Sequence, residues 1–245
     1  MQNKMTQTIS FAVGNIWRWA KSNNRDELIS IIRKNCDVRG VELTFARKDE
    51  LYAFKLSKQN EKWLKKLDYI SIHAPFGLMR KADNEKEIIK QLDIISKLYK
   101  RVNAKNVVIH PKDVPPPRIL NKYNIKFSTE NLPKKRNITI ADLKKILNKN
   151  PKLGICIDVA HAYFWSKYET KKLIEAFEDR ITQFHLSATY RRKDHRSLKI
   201  ASEDFMFSIK PMFKLDVPIV IEEDFKTKSI KAVQDEIKLI KKIKN

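Results

Sequence analysis

The sequence predicts an α/β fold, a (β/α)8 TIM barrel forming a single domain over residues 1–245. Two observations predict it. Short β-like runs alternate eight times with amphipathic helices in 245 residues, the size expected of this barrel. Polar side chains with useful chemistry also stand at the carboxyl end of almost every run, where barrel active sites assemble. An open doubly wound sheet explains the alternation but not that placement.

The first run is Thr8 to Val13. A helix from about Asp26 puts Leu28, Ile31 and Ile32 on one face, with Asn24 placed to cap it. Arg39 to Thr44 is the second run and contains Glu42. Tyr69 to His73 is the third and leads into Ala74-Pro75-Phe76-Gly77. A helix starting near Glu85 aligns Ile88, Leu92, Ile95 and Tyr99. The fourth run, Asn106 to His110, stops at Pro111. The connection from Lys112 to Asn124 holds Pro115 to Pro117 in succession and has room for only a short helix. Ile125 to Glu130 is the fifth run. Thr139 with Asp142 three residues on reads as a capping box for a helix through Leu147. The sixth run, Gly154 to Asp158, is short, apolar and ends on a carboxylate, with His161 just beyond. A helix spans about Glu169 to Phe177, and Ile181 to Leu186 is the seventh run. A long basic loop, Ser187 to Lys199, precedes a helix near Glu203 to Ile209. Val217 to Ile221 is the eighth run, and the last helix, after Ser229, aligns Ile230, Val233, Ile237 and Ile240.

Composition narrows the class. Hydrophobic residues make up 42% of the chain, enough for a core, and no apolar run is long enough to span a membrane. MQNKMTQTIS lacks the apolar stretch of a secretory leader. Cys36 and Cys156 lie far apart and read as reduced thiols of a cytoplasmic protein. Fifty-one basic residues against 29 acidic give a formal charge of +22, which would attract a polyanion such as DNA. The same excess arises if lysines merely fill solvated helix faces. With four glycines, the chain has no glycine-rich phosphate loop.

The histidines carry the chemistry. There are five: His73 and His110 end runs three and four, His185 nearly ends run seven, His161 follows run six, and His195 lies in the seventh loop. Glu130, Asp158 and Glu222 complete a ring at the same rim. Imidazole nitrogen and carboxylate oxygen are ligands for zinc or manganese. Any one of these residues has a structural explanation, but scattered histidines would rarely all fall at one rim. A divalent cation there lowers the pKa of bound water, to ~7 in favourable zinc sites, and several together suit phosphodiester hydrolysis. One cation flanked by two carboxylates suits proton abstraction beside a carbonyl.

The ordered segments His-Ala-Pro-Phe (73–76), Ile-His-Pro (109–111), Glu-Asn (130–131), Asp-Val-Ala-His-Ala (158–162), Phe-His-Leu-Ser (184–187), Asp-His-Arg-Ser-Leu (194–198) and Ile-Glu-Glu (221–223) resemble the xylose isomerase-like TIM-barrel superfamily. That group holds endonuclease IV and the sugar and sugar-phosphate isomerases and epimerases. The resemblance implies that Glu130, Asp158, His185 and Glu222 form the four-ligand core of the epimerase branch, with Glu130 and Glu222 as its acid/base pair. It equally implies the three-zinc arrangement of endonuclease IV. In that arrangement His73, His110 and Glu130 hold one ion, and Glu130 bridges to a second held by Asp158, His185 and Glu222. His161 and His195 hold the third. Lys193 stands where endonuclease IV carries an Asp, and the adjacent Asp194 is the candidate replacement. Lys112 and Lys199 replace glycines of the pattern.

The expected function is an endonuclease IV-like phosphodiesterase acting on abasic-site DNA, with up to three zinc ions. Lys134, Lys135 and Arg136, with Arg191, Arg192 and Lys193, are the expected phosphate contacts. Phe76, Tyr163 and Trp165 are the expected stacking or wedging residues. The alternative is a sugar or sugar-phosphate isomerase or epimerase with one zinc, manganese or magnesium ion. A third reading is a non-catalytic barrel that binds metal or nucleic acid.

Overall fold

The computed structural model describes residues 7–79, 84–225 and 229–244. Most of the stretch read for a secretory leader, residues 1–6, lies outside them. Eight parallel strands close into a barrel. Seven come first: β1 (Ile9–Ala12), β2 (Gly40–Thr44), β3 (Tyr69–His73), β4 (Asn106–Ile109), β5 (Phe127–Glu130), β6 (Gly154–Asp158) and β7 (Ile181–Leu186). A separate pair, β8 (Ala188–Tyr190) and β9 (Lys193–Arg196), intervenes before the eighth barrel strand, β10 (Ile219–Ile221). That last strand pairs with β1, which completes the ring. The open doubly wound alternative is excluded.

The helices follow the apolar stripes: α1 (Trp17–Ala20), α2 (Arg25–Asn35), α3 (Lys48–Ala53), α4 (Lys58–Leu64), α5 (Glu85–Val102), α6 (Pro117–Leu120), α7 (Ile140–Lys149), α8 (Val159–Tyr163), α9 (Glu169–Phe177), α10 (Glu203–Ile209) and α11 (Ile230–Lys244). Ile88, Leu92 and Ile95 of α5 are buried, as their spacing requires. The Asn24 side chain accepts from the Asp26 and Glu27 amides, and Thr139 and Asp142 form the capping box. The short helices α3 and α4 are not evident from periodicity, because neither is long enough to repeat an apolar stripe.

The segment Ser187–Lys199 departs from the sequence expectation. It contains the antiparallel hairpin of β8 with β9, standing apart from the barrel sheet. Its turn, Arg191-Arg192, has φ of 49° and 59°, the left-handed pair of a two-residue hairpin turn. That turn normally uses Asn or Gly, so the hairpin carries no turn signature.

The barrel interior is polar beneath its carboxyl rim. Parallel pairing aligns Glu42 with Ser71 and Ser71 with Asn106, while Asp158 pairs with His185. Glu42, Ser71, Asn106, Ser128 and Gln183 are all buried, in a fold whose interior is usually filled by branched apolar side chains. Gly40 is dictated by the same crowding: a β-carbon there would sit 2.7 Å from the Tyr69 carbonyl oxygen and 2.2 Å from Ser10 Oγ.

Candidate metal centre

The eight ring residues reach one mouth because each ends or follows a barrel strand. Glu130 stands at the centre. His110 Nε2 is 2.6 Å and His73 Nε2 3.7 Å from Glu130 Oε1, and His185 Nδ1 is 3.3 Å from Glu130 Oε2. His185 Nδ1 also lies 3.3 Å from Glu222 Oε1. It is buried and makes no hydrogen bond. On the other side, His161 Nδ1 is 3.2 Å from Asp158 Oδ2 and His161 Nε2 is 3.7 Å from Asp194 Oδ2.

Local structure fixes these positions. Asp158 caps α8 by accepting from the His161 amide at 2.8 Å, so strand end and helix start set the Asp158–His161 spacing. The Asn131 side chain donates to the Asp158 carbonyl and accepts from its amide, both at 2.8 Å. Asp113 accepts from the Gly77 and Met79 amides, at 2.8 and 3.3 Å, and so holds the loop that carries Phe76. Gly77 adopts φ of 76°, which glycine takes without strain. His195 has φ of 54°; its Nδ1 lies 2.7 Å from the Glu222 carbonyl oxygen and its amide donates to Ser187.

The electrostatics are those of unlike charges packed out of water. Burial disfavours the charged form of His73, but hydrogen bonding and charge from Glu130 prevail and raise its pKa to about 9. His161 rises to about 9 against the same burial, through Asp158 and then Asp194. The hydrogen bond from His161 holds Asp194 at about 2. Burial opposes the charge on Glu130, yet His110 above all keeps its pKa well below the ordinary value. Glu222 goes the other way: burial pushes it up despite His185 and His195.

These donors fit divalent cations. His73–His110–Glu130 offers one atom each, all within 4.8 Å of one another, and so does Glu130–Asp158–His161. The unpartnered His185 Nδ1, aimed between two carboxylates, is a donor atom that a cation would satisfy. His161, Asp194 and His195 do not close to that spacing among the described residues, although Asp194 does point at His161.

A cavity of about 460 Å³ opens over the ring and is lined by His73, His110, Glu130, His161, Asp194, His195 and Glu222, with Lys112, Lys135 and Arg136 at its wall. A second, of about 440 Å³, shares His73, Phe76, His195 and Glu222 and extends to Trp17 and Arg47. The expected cationic contacts therefore divide. Lys135 and Arg136, in the short 3-10 turn after Pro133, line the cavity; Lys134, exposed in the same turn, is not among its lining residues. Arg191, Arg192 and Lys193 are exposed around the hairpin turn and line neither cavity.

The three aromatics expected at the rim sit in different surroundings. Phe76 is 47% exposed and stacks on His110 with ring centroids 4.6 Å apart. Tyr163 packs edge-on against Phe205, and Trp165 donates to the Leu132 carbonyl. Trp17, 42% exposed beside the second cavity, is an aromatic the sequence did not single out. Glu42 was legible only as a charged residue between Val41 and Leu43 in a buried strand, and Asn131 only as the neighbour of Glu130.

Comparison with known proteins agrees with this fold. The family described as xylose isomerase-like TIM barrel matches residues 33–243. The search of curated proteins finds no match. Similar solved structures include a D-tagatose 3-epimerase-like protein, with 17% identity, TM-score 0.70 and 97% of each chain covered. Endonuclease IV from Thermus thermophilus has 16% identity and TM-score 0.68, over 96% of this chain and 98% of the other. IolI protein with a bound zinc atom has 15% identity and TM-score 0.68, over 97% and 98%.

Proposed function

Because the chain belongs to the xylose isomerase-like TIM-barrel family, we propose that it is a metal-dependent phosphodiesterase of the endonuclease IV type, cutting DNA at abasic sites. The observation that carries this reading is the reach of the donor set beyond a single-ion core. Glu130 is shared between His73 and His110 on one side and His185 on the other, while His161 links Asp158 to Asp194. A single-ion core of Glu130, Asp158, His185 and Glu222 leaves His110, His161 and Asp194 outside it.

Cations held here, zinc foremost, supply positive charge that lowers the pKa of water and stabilises the negative charge developing on a phosphodiester. The protein's own residues do the rest. Glu130, buried and kept in its charged form chiefly by His110, would hold a cation together with His73 and His110 on one side and with His185 on the other. Asp194 would stand in for the aspartate that endonuclease IV carries one position earlier, with its Oδ2 3.7 Å from His161 Nε2. Lys112, Lys135 and Arg136 offer cations to the phosphates flanking the cut. Phe76, held flat on His110, offers an exposed face to a base or sugar.

One observation favours the epimerase reading instead. Glu130 and Glu222 both face His185 Nδ1, and their pKa values are driven in opposite directions, as an acid/base pair over one ion requires. Two measurements separate the readings. Elemental mass spectrometry of protein purified without chelator is expected to find close to three zinc ions per chain. Incision of an abasic duplex is expected to weaken steeply with salt, since phosphate contacts release counterions. One ion per chain, with salt-insensitive turnover of free sugars, would replace the phosphodiesterase by the epimerase. Metal retained without turnover of either substrate would leave a binding barrel.

A further inference from the structure

We infer that Glu42 is a positioning residue: it holds the proton of His185 on Nε2 and so leaves Nδ1 as the lone pair that faces Glu130 and Glu222. This rests on the reading of His185 as a metal ligand and extends it to the layer beneath. Glu42 is fully buried within the barrel, on β2, far in sequence from its partners. Ser71 Oγ and Gln183 Nε2 donate to its Oε2, each at 2.8 Å, and His185 Nε2 lies 3.3 Å from the same oxygen. Its other oxygen is buried with no hydrogen-bond partner.

A buried carboxylate with one bare oxygen is a poor choice for stability. The geometry explains why it is there. An imidazole can ligate through Nδ1 only if its neutral form carries the proton on Nε2. The Gln183 amide nitrogen lies 2.8 Å from His185 Nε2 and is a competing donor. It is itself fixed, because Tyr69 and Asn106 donate to its oxygen at 2.7 and 3.1 Å. Without Glu42 to accept both nitrogens, Gln183 would donate to Nε2, and the proton would move to Nδ1 and occupy the ligand position. Glu42 thus selects the tautomer against the nearest neighbour's preference.

The test uses the full chain and zinc alone, with no substrate. Zinc affinity is read by competition with a chromophoric chelator. Glu42→Gln, which keeps the shape but loses the charge, is expected to weaken zinc binding about 10- to 100-fold. Glu42→Leu is expected to weaken it further and, because it strips the buried Ser71 and Gln183 donors of their acceptor, to melt lower, so affinity is compared on folded protein with Glu42→Gln as the shape-keeping variant. The second measurement needs no variant: 15N NMR of the zinc-loaded wild type is expected to show His185 protonated on Nε2. Unchanged zinc affinity in folded Glu42→Gln, or a proton on Nδ1 in the loaded wild type, overturns the inference and leaves the proposed function standing. Wild-type protein that takes up no zinc overturns both.

Discussion

Replacing Asn131 by alanine should both destabilise the barrel and loosen the metal centre. Asn131 is 3% exposed, and its amide closes two hydrogen bonds with the backbone of Asp158, each 2.8 Å long. Asp158 is 1% exposed, so water does not reach the groups left behind. An orphaned buried donor or acceptor costs about 1–3 kcal/mol, so two cost about 2–6 kcal/mol, centred on about 4. For a chain of this size 1 kcal/mol moves the melting temperature by about 2–4 °C, which sets the expected loss at roughly 8–16 °C. Asn131→Asp retains an acceptor for the Asp158 amide but opposes a carboxylate to the Asp158 carbonyl, and should lose at least half as much. The assay is a thermal melt with chelator present, repeated with zinc. Asp158 also caps α8 and faces His161, so zinc should raise the melting temperature of the alanine variant less than that of the wild type. An Asn131→Ala protein melting within about 1 °C of the wild type would refute the claim that this clamp sets the strand end.

Metal-free protein should lose stability as pH rises through about 9. Folding raises His73 and His161 from an ordinary 6.5 to about 9, so the stability of their carboxylate pairs is complete below pH 6.5 and gone once the folded groups deprotonate. Zinc should reverse the trend, because its ligands must be neutral imidazoles; melts across pH 6 to 10 with and without zinc would show both slopes. Glu223 is pushed up to about 8 by burial and by Glu236, so the fold holds a proton there that the unfolded chain releases above about 4.5. Glu223→Gln should therefore raise the melting temperature at pH 8 and leave it near the wild-type value at pH 4. In the hairpin, Arg191→Asn with Arg192→Gly should relieve two left-handed residues and stabilise by about 1–2 kcal/mol, measured by denaturant unfolding. No gain would mean that the arginines hold this turn through contacts of their own.

The barrel was legible because its strands are short buried runs, separated by helices long enough to repeat an apolar stripe. The ring was legible for a related reason: a polar residue ending an apolar strand has one place to go. His73, Glu130 and Asp158 end β3, β5 and β6, and the rim follows from that alone. What was not legible depends on tertiary contact. No local pattern tells that Arg191-Arg192 turns a hairpin, because the residues suited to that turn are missing. Nor does it tell that Tyr163 packs on Phe205 while Trp17 stands at a cavity, since both are aromatics just beyond a strand. Glu42 lay in plain view, but its partner Gln183 is 141 residues away, and only closure of the sheet brings them together.

Closure has a consequence for the order of events on a ribosome. His73 and His110 emerge early, Glu130 and Asp158 near the middle, and Glu222 only as the last strand is made. That strand, β10, also supplies the edge that β1 has awaited since the first residues of the barrel. A nascent chain stalled before residue 219 therefore has an open sheet and an incomplete ring. A cation held by Glu222 together with Glu130 and His185 would then tie the end of the last strand to strands made earlier, a link that no shorter fragment can form.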